Sequence, residues 1–318
     1  MTSFSRFCCL AIGILAFAGC GSDESENNQN ESDAGSDSMN DDVQADSPVG
    51  DDAKPDTGDS SCTPVNSVSG SVINEQGDAF SNVGVVLCVY QDDGSAKCLN
   101  PVKTSASGEF SVTIPAGDGC LESAAYQLKA DALSVIPLYC PVDVAAGGAI
   151  AMANPNRLVD TPACTRDALG EESKPHEVSA PDDMKMTVIP NGIWLFDFSY
   201  DDLGIRRWDA ATWGWPCFID AANAPDDLAV FAPELEVKSD AKDAVHISFP
   251  NEAGLSAGTV VDLYGLGGAA TSMWDGKEVH EGSWQVIGEA QVSADGSRIE
   301  TRPGQGLPFA TWIGWKKK

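Results

Sequence analysis

The hydrophobic positions in the first half of the chain recur with a period of two inside short segments. These segments read SGSVINEQG, NVGVVLCVY, GEFSVTIP and YQLKADALSVIPLY, and Gly, Asp, Asn and Pro separate them. Successive side chains of a β-strand point to opposite faces, and β-branched residues fit that pleated surface. Helical periodicity is absent from these segments. The pattern therefore predicts an all-β domain over residues 62–164.

The second half shows the same kind of pattern with more aromatic residues. Its apolar segments include KMTVIPNGIWLFDFSY, AVHISFPN, GTVVDLYGL, WQVIGEAQVS and SRIETRPGQGLPFATWIGW. In IWLFDFSY, the residues Trp194, Phe196, Phe198 and Tyr200 fall on one face of a predicted strand. Residues 165–183 are charged and contain prolines, which is typical of a linker. We expect two β-sandwich modules, the second over residues 184–318.

The first residues indicate export. Arg6 precedes an apolar run of twelve residues, 7–18, which is too short to span a bilayer and suits a signal peptide over residues 1–19. The ending Phe17-Ala18-Gly19-Cys20 resembles the lipobox of bacterial lipoproteins, although Phe17 replaces the usual Leu. The resemblance implies that Cys20 is acylated, with palmitate-like chains, and that the membrane is a partner through this anchor. The alternative is an ordinary secretory signal followed by a structural cysteine.

An acidic segment follows the predicted lipid site. Residues 21–61 contain thirteen Asp and Glu but one basic residue, Lys54, and almost no apolar residues. Such a segment cannot bury enough surface to offset its ordering entropy, so we expect residues 20–61 to be a disordered tether. The lipoprotein retention signal, an Asp at the second position after the cysteine, is absent because Ser22 stands there. By resemblance, the destination is the outer membrane or cell surface.

The net charge of −29 affects the choice of partners. A protein of this charge repels phosphate backbones, so nucleic acid is excluded as a partner. No D-x-[DN]-x-[DN]-G calcium loop occurs in the acidic runs.

Seven cysteines remain after the predicted signal and lipid site: Cys62, Cys88, Cys98, Cys120, Cys140, Cys164 and Cys217. The first six allow fifteen pairings, and export places them in an oxidising compartment. Cys88 and Cys98 flank the turn QDDGSAK and are predicted to pair across a hairpin. Cys62 with Cys164, and Cys120 with Cys140, complete the preferred set. Cys217 is then a buried free thiol, unless it exchanges with Cys164. Metal binding is excluded because no C-x-x-C and no histidine lie among the six.

The first module carries a family resemblance. Gly70-Ser71-Val72 to Gly77, the segment 83–86, Thr104-x-x-x-Gly108-x-Phe110 and Ile114-Pro115 resemble the carboxypeptidase regulatory-like family, although Phe80 departs from its usual Pro or Leu. The resemblance covers residues 66–150 and implies a transthyretin-like sandwich without catalysis. The segment from Phe249-Pro250-Asn251 onward resembles a module of large bacterial surface proteins.

The sequence contains few motifs that would indicate catalysis or cofactor binding. TVVDLYGLGGAATS contains G-x-G-x-x-A, but the next strand-like run begins before a dinucleotide-binding helix could fit, so no cofactor is expected. No H-x-x-E and no H-E-x-x-H occurs, so we expect no metal site. A glycosidase needs only two carboxylates, for which Asp201-Asp202 and Asp226-Asp227 are candidates. Turn and cap roles are the competing interpretation.

The aromatic residues leave two functions open. Trp194, Trp208, Trp213 and Trp215 could form a face that binds a glycan or peptide, or they could belong to the core. Core is the usual role of aromatic residues in a two-layer β domain. The leading hypothesis is a non-catalytic cell-surface lipoprotein with a structural, adhesion or assembly role. The alternatives are a carbohydrate- or peptide-binding surface protein and an unrecognised hydrolase.

Overall fold

The structure is a computed structural model, and it describes residues 63–90, 96–118, 120–194, 198–268, 272–274, 277–279 and 281–318. The predicted signal peptide, Cys20, the acidic tether and Cys62 lie outside the described residues. The described part contains 22 strands and one short α-helix, α1 (Ala210–Trp213). Five single-turn 3-10 helices lie at Ala116–Asp118, Val144–Ala146, Pro190–Gly192, Tyr200–Asp202 and Ala221–Asn223. The all-β prediction is confirmed.

Nine strands form the first module. They are β1 (Val65–Ile73), β2 (Gly84–Tyr90), β3 (Ala96–Cys98), β4 (Val102–Lys103), β5 (Glu109–Thr113), β6 (Ser123–Lys129), β7 (Leu138–Val142), β8 (Gly148–Ala151) and β9 (Asn156–Arg157). One sheet has the order β5-β1-β8, and β9 also pairs with β1. The other has the order β3-β2-β6-β7, and β4 also pairs with β2.

The two sheets of the first module share one core because their strands alternate buried and exposed positions. In β5, Phe110 and Val112 are buried while the residues between and beside them are exposed. Phe110 packs against Tyr126 of the opposite sheet, with 5.5 Å between ring centroids. The apolar residues of the period-two pattern therefore form the inner face of a sandwich.

Thirteen strands form the second module. They are β10 (Thr165–Arg166), β11 (His176–Ser179), β12 (Lys185–Val188), β13 (Ile193–Trp194), β14 (Gly204–Arg207), β15 (Asp227–Val237), β16 (Val245–Pro250), β17 (Val260–Leu266), β18 (Ser272–Trp274), β19 (Lys277–Val279), β20 (Trp284–Val292), β21 (Arg298–Thr301) and β22 (Phe309–Lys317). The large sheet has the order β10-β11-β12-β16-β21-β20-β17-β22-β15-β13, and β14 pairs with β15. Strands β18 and β19 form a separate pair.

Strand β22 is buried along almost its whole length, because both of its faces are covered. Phe309, Ile313 and Trp315 lie in the core of the second module. Trp312 lies in the other core cluster, which is formed chiefly by the first module. A strand that is covered on both faces has a continuous apolar sequence, and FATWIGW is such a sequence. The two modules therefore meet along this strand.

The prediction of a linker over residues 165–183 is wrong. Strands β10 and β11 lie in this segment, and both belong to the large sheet. Strands of two and four residues in a charged sequence give little signal, yet Val178 is fully buried. Residues 63–318 belong to one compact unit, so the modules are not separate bodies joined by a flexible connection.

The predicted aromatic strand over IWLFDFSY is also corrected. Only Ile193–Trp194 is a strand, and residues 195–197 lie outside the described residues. Tyr200 lies in a 3-10 turn and is buried, whereas Trp194 is 52% exposed. Trp194 and Tyr200 therefore do not share one strand face.

Candidate functional site at the junction of the two modules

Strand β7 and the residue before it are bonded to the second module at two points. The indole Nε1 of Trp312 donates a hydrogen bond of 2.8 Å to the carbonyl oxygen of Pro137, just before β7. Cys140 of β7 is disulfide-bonded to Cys217, with 5.3 Å between their Cα atoms. We call this region the junction; it comprises Pro137, Tyr139, Cys140, Cys217, Glu234 and Trp312.

A hydrogen bond between side chains crosses the centre of the junction. The hydroxyl of Tyr139 donates to Glu234 Oε2 at 2.7 Å, and Gln127 Nε2 donates to the same hydroxyl at 2.9 Å. Burial raises the pKa of Tyr139 well above its usual value, so the phenol keeps its proton. The proton on the phenol oxygen is thus directed at the Glu234 carboxyl.

The carboxyl of Glu234 has an unusual environment. Its Oε1 atom is buried and has no hydrogen-bond partner among the described residues, although the residue as a whole is partly exposed. Desolvation raises the pKa of Glu234 to about 7, and the hydrogen bond from Tyr139 opposes that rise only in part. Burial also raises the pKa of the nearby Glu281. The junction therefore contains a carboxyl that takes up or loses its proton near neutral pH.

An ion pair holds the modules together at a second place. Arg206 of β14 binds both carboxylate oxygens of Glu75, at 2.6 and 2.7 Å, and donates to the carbonyl oxygen of Asp160 at 2.8 Å. The guanidinium also lies over the ring of Trp213, 4.6 Å from its centroid. The hydrogen bonds from Arg206 lower the pKa of Glu75. A bidentate pair of this kind attracts the two side chains and also fixes their relative orientation.

The predicted aromatic ligand face is not assembled as one surface. Trp208 is buried and packs against Trp213 and Trp312, with centroids 4.9 and 5.0 Å apart. Trp213 and Trp215 are partly buried against the same core. Trp194 is 52% exposed and lies on β13 with the ammonium of Lys238 5.0 Å from its ring. Three of the four tryptophans therefore contribute to the packing beside the junction.

Of the three predicted disulfide pairings, the structure confirms one and contradicts two. Cys88 and Cys98 are directly opposite on β2 and β3 and form a disulfide, as predicted. The pairing of Cys120 with Cys140 is wrong, because Cys140 binds Cys217; Cys120 is disulfide-bonded, but not to Cys140. The pairing of Cys62 with Cys164 is wrong too, because Cys164 is a free thiol near β14. Cys217 is therefore not the free thiol. The cause is that β7 and the segment before β15 come together only in the packed chain.

The two acidic pairs have structural partners. Asp202 accepts hydrogen bonds from the backbone and side chain of Ser199 and caps a 3-10 turn. Asp227 binds Arg207 at 2.8 Å, while Asp226 accepts from a backbone N–H of β22. A cap, an ion pair and a hydrogen bond to the backbone account for Asp202, Asp227 and Asp226.

A cluster of three polar residues, His246, Asp243 and Thr301, lies in an open cleft of about 610 Å³. The sequence did not predict this cluster. His246 Nε2 lies 2.8 Å from Asp243 Oδ1, and Nδ1 lies 2.9 Å from Thr301 Oγ1. The residue types resemble a nucleophile, base and acid. However, Thr301 is buried, and its hydroxyl accepts from the backbone N–H of Ile247 at 3.2 Å. Asp243 also accepts from the backbone N–H of Gly304 at 2.7 Å, so the cluster joins two strands and a loop.

The part of the chain that the structure describes lacks two kinds of feature. No group of three or more His, Cys, Asp and Glu side chains there is placed to hold a metal ion. In the same part of the chain, no helix is long and apolar enough to cross a membrane. Strand β18 begins at Ser272, so the described residues after Gly268 contain no helix of the kind a dinucleotide needs.

No known protein family matches this chain, and no curated protein matches it either. Among solved structures it is similar to BcpA, the major pilin subunit of Bacillus cereus, at 10% identity, covering 78% of this chain and 95% of that chain, with a TM-score of 0.21. It is also similar to the major pilin SpaD from Corynebacterium diphtheriae, at 11% identity, covering 75% of this chain and 87% of that chain, with a TM-score of 0.21. At these TM-scores the likenesses carry no argument about function.

Proposed function

We propose that the protein is a non-catalytic lipoprotein of the cell surface with a structural, adhesion or assembly role. The observation that supports this proposal is the junction, where a disulfide, an aromatic cluster and a bidentate ion pair hold two β modules in one compact unit. An extracellular protein that bears load or presents a surface needs such a fixed arrangement. An enzyme needs reactive groups that reach a substrate, whereas the candidate acids here cap turns or form ion pairs.

The anchor and the tether complete the proposal. In this proposal Cys20 carries acyl chains in the outer membrane or at the cell surface, and the acidic residues 21–61 hold the folded unit away from the lipid. The resemblance of residues 66–150 to carboxypeptidase regulatory-like modules supports an accessory role. The partner is then another surface protein or a glycan, and not nucleic acid.

The experiment is a fractionation of cells that express the full chain. Cys20→Ser should move the protein from the membrane fraction to the soluble fraction, because that cysteine is the proposed acylation site. Cys164→Ser is the matched control, since Cys164 is a free thiol and its loss should leave the protein in the membrane fraction. Degradation of the wild type by protease added to intact cells would place it outside. Unchanged membrane partitioning of the Cys20 variant would contradict the proposed anchor.

Ligand addition tests the non-catalytic part of the proposal. A ligand at a hundred times its dissociation constant stabilises a fold by about 2.7 kcal/mol. NAD, ATP and divalent metal ions should therefore leave the melting temperature unchanged. A shift of several degrees with any of these would overturn the proposal, and a shift with oligosaccharides would favour the carbohydrate-binding alternative.

A further inference from the structure

Glu234 is the polar group of the junction whose hydrogen bonding is incomplete. Its Oε2 accepts from Tyr139, whereas its Oε1 is buried and has no partner among the described residues. A carboxylate placed in this way would leave half of its negative charge without a donor. A protonated carboxyl would have a smaller desolvation cost, because only the charged form strongly requires water.

The groups around Glu234 come from several elements of both modules. Tyr139 faces it from β7 and Lys129 from β6, while Glu236 follows on its own strand and Glu281 lies before β20. Lys129 favours the carboxylate, whereas Glu236 and Glu281 disfavour it. Two acids and one base therefore surround the site, so no matched countercharge compensates for ionisation.

The backbone packs closely at the same place. A Cβ atom on Gly268 would lie 3.6 Å from Glu234 Oε2 and 3.0 Å from Thr311. A Cβ atom on Gly282 would lie 3.8 Å from Tyr139. Two backbone segments therefore lie close to the Tyr139–Glu234 pair. A change in the charge of the buried Oε1 acts on the packing of these segments as well as on the hydrogen bond between the modules.

We propose that the junction is a proton-sensitive lock in which the neutral Glu234 carboxyl keeps the two modules closed and its ionisation loosens them. When the proton leaves Oε1 for solvent, the buried oxygens gain a charge that Tyr139 alone cannot stabilise. The neutral carboxyl is retained more strongly in the folded state than in the unfolded state. This property of the folded unit does not depend on the lipid anchor or on a surface location.

The direction of the pH effect follows from the folded and unfolded states. The pKa of Glu234 is about 7 in the folded protein, against an ordinary value of 4.5. The stabilisation is complete below pH 4.5, is lost as the pH rises to about 7, and stays constant above that. A pKa difference of this size changes the unfolding equilibrium constant roughly 300-fold. Burial raises the pKa of Glu281, so that residue adds an effect of the same sign.

The test compares thermal unfolding of the full chain with that of Glu234→Gln between pH 5 and pH 8. Between pH 5 and pH 8 the folding equilibrium constant of the wild type should fall roughly 70-fold more than that of the variant, because part of the full effect is already lost at pH 5 and glutamine carries no charge at any pH. Glu300→Gln, on β21 away from the junction, is the matched control and should keep the wild-type pH dependence. Equal pH dependence in the wild type and Glu234→Gln would overturn the proposal.

A second variant keeps the test decisive if Glu234→Gln fails to fold. Tyr139→Phe removes the donor to Glu234 Oε2 but adds no charge. Its stability should be closest to that of the wild type at pH 5 and should fall further behind at pH 8, since the carboxylate then lacks its hydrogen bond. A loss that is equal at both pH values would overturn the proposal. Restoration of wild-type stability at pH 8 by calcium ions, but not in Glu234→Gln, would also overturn it, because a cation and not a proton would then close the junction.

Discussion

Removing the disulfide between Cys140 and Cys217 should destabilise the protein more than removing the one between Cys88 and Cys98. The two bonds differ most in the length of chain that they close, 77 residues against 10. The loop-entropy relation gives about 4.5 kcal/mol for the longer separation and about 2.7 kcal/mol for the shorter one. The difference of about 2 kcal/mol is large enough to resolve by denaturation.

The assay is urea unfolding of two double variants, Cys140→Ala with Cys217→Ala and Cys88→Ala with Cys98→Ala. Cys88, Cys98 and Cys140 lie in the first module, so the comparison separates a bond within that module from a bond between modules. Tryptophan fluorescence reports on the junction, because Trp208 and Trp312 pack there. An equal loss in the two variants, or a greater loss in the Cys88–Cys98 variant, would refute the claim that the longer bond constrains the chain across the junction.

Two further pairs of variants test the packing. Trp208→Ala should cost about 3–5 kcal/mol in urea unfolding because its ring is buried, whereas Trp194→Ala should stay within about 0.5 kcal/mol because its ring is 52% exposed. Similar losses would contradict the assignment of Trp208 to the core. Gly108→Ala should cost roughly 2–5 kcal/mol by thermal unfolding, since φ is +76° and a Cβ would lie 2.4 Å from the carbonyl oxygen of Val72. Gly296→Ala, with φ +75° and open space around it, should cost only about 1–2 kcal/mol.

The sequence predicts the elements of this fold better than their association. The alternation in GEFSVTIP predicts the buried positions of β5, and the turn after Cys88 predicts its disulfide, because both depend on neighbouring residues. The bond from Cys140 to Cys217 depends on which strand of one module meets which segment of the other. Fifteen pairings within the first module do not include it, since Cys217 lies in the second.

The junction itself gives even less signal in the sequence. Glu234 stands in the segment APELEV, where an acid in an amphipathic strand is expected to face water. Its carboxyl is buried because Tyr139 of the other module covers it. In the same way, Trp208 looks like a candidate for ligand binding until Trp312 and Trp213 pack against it. Burial that comes from a second module cannot be read from the periodicity of one strand.

Scanning calorimetry tests the central claim most directly, which is that the junction makes the two modules one unit. The sample is the full chain with Cys20→Ser, in which the proposed acylation site is absent. The account predicts a single transition whose calorimetric enthalpy equals its van't Hoff enthalpy, because neither module can unfold without breaking the junction. Two resolved transitions, or a calorimetric enthalpy about twice the van't Hoff value, would show independent modules and contradict the account.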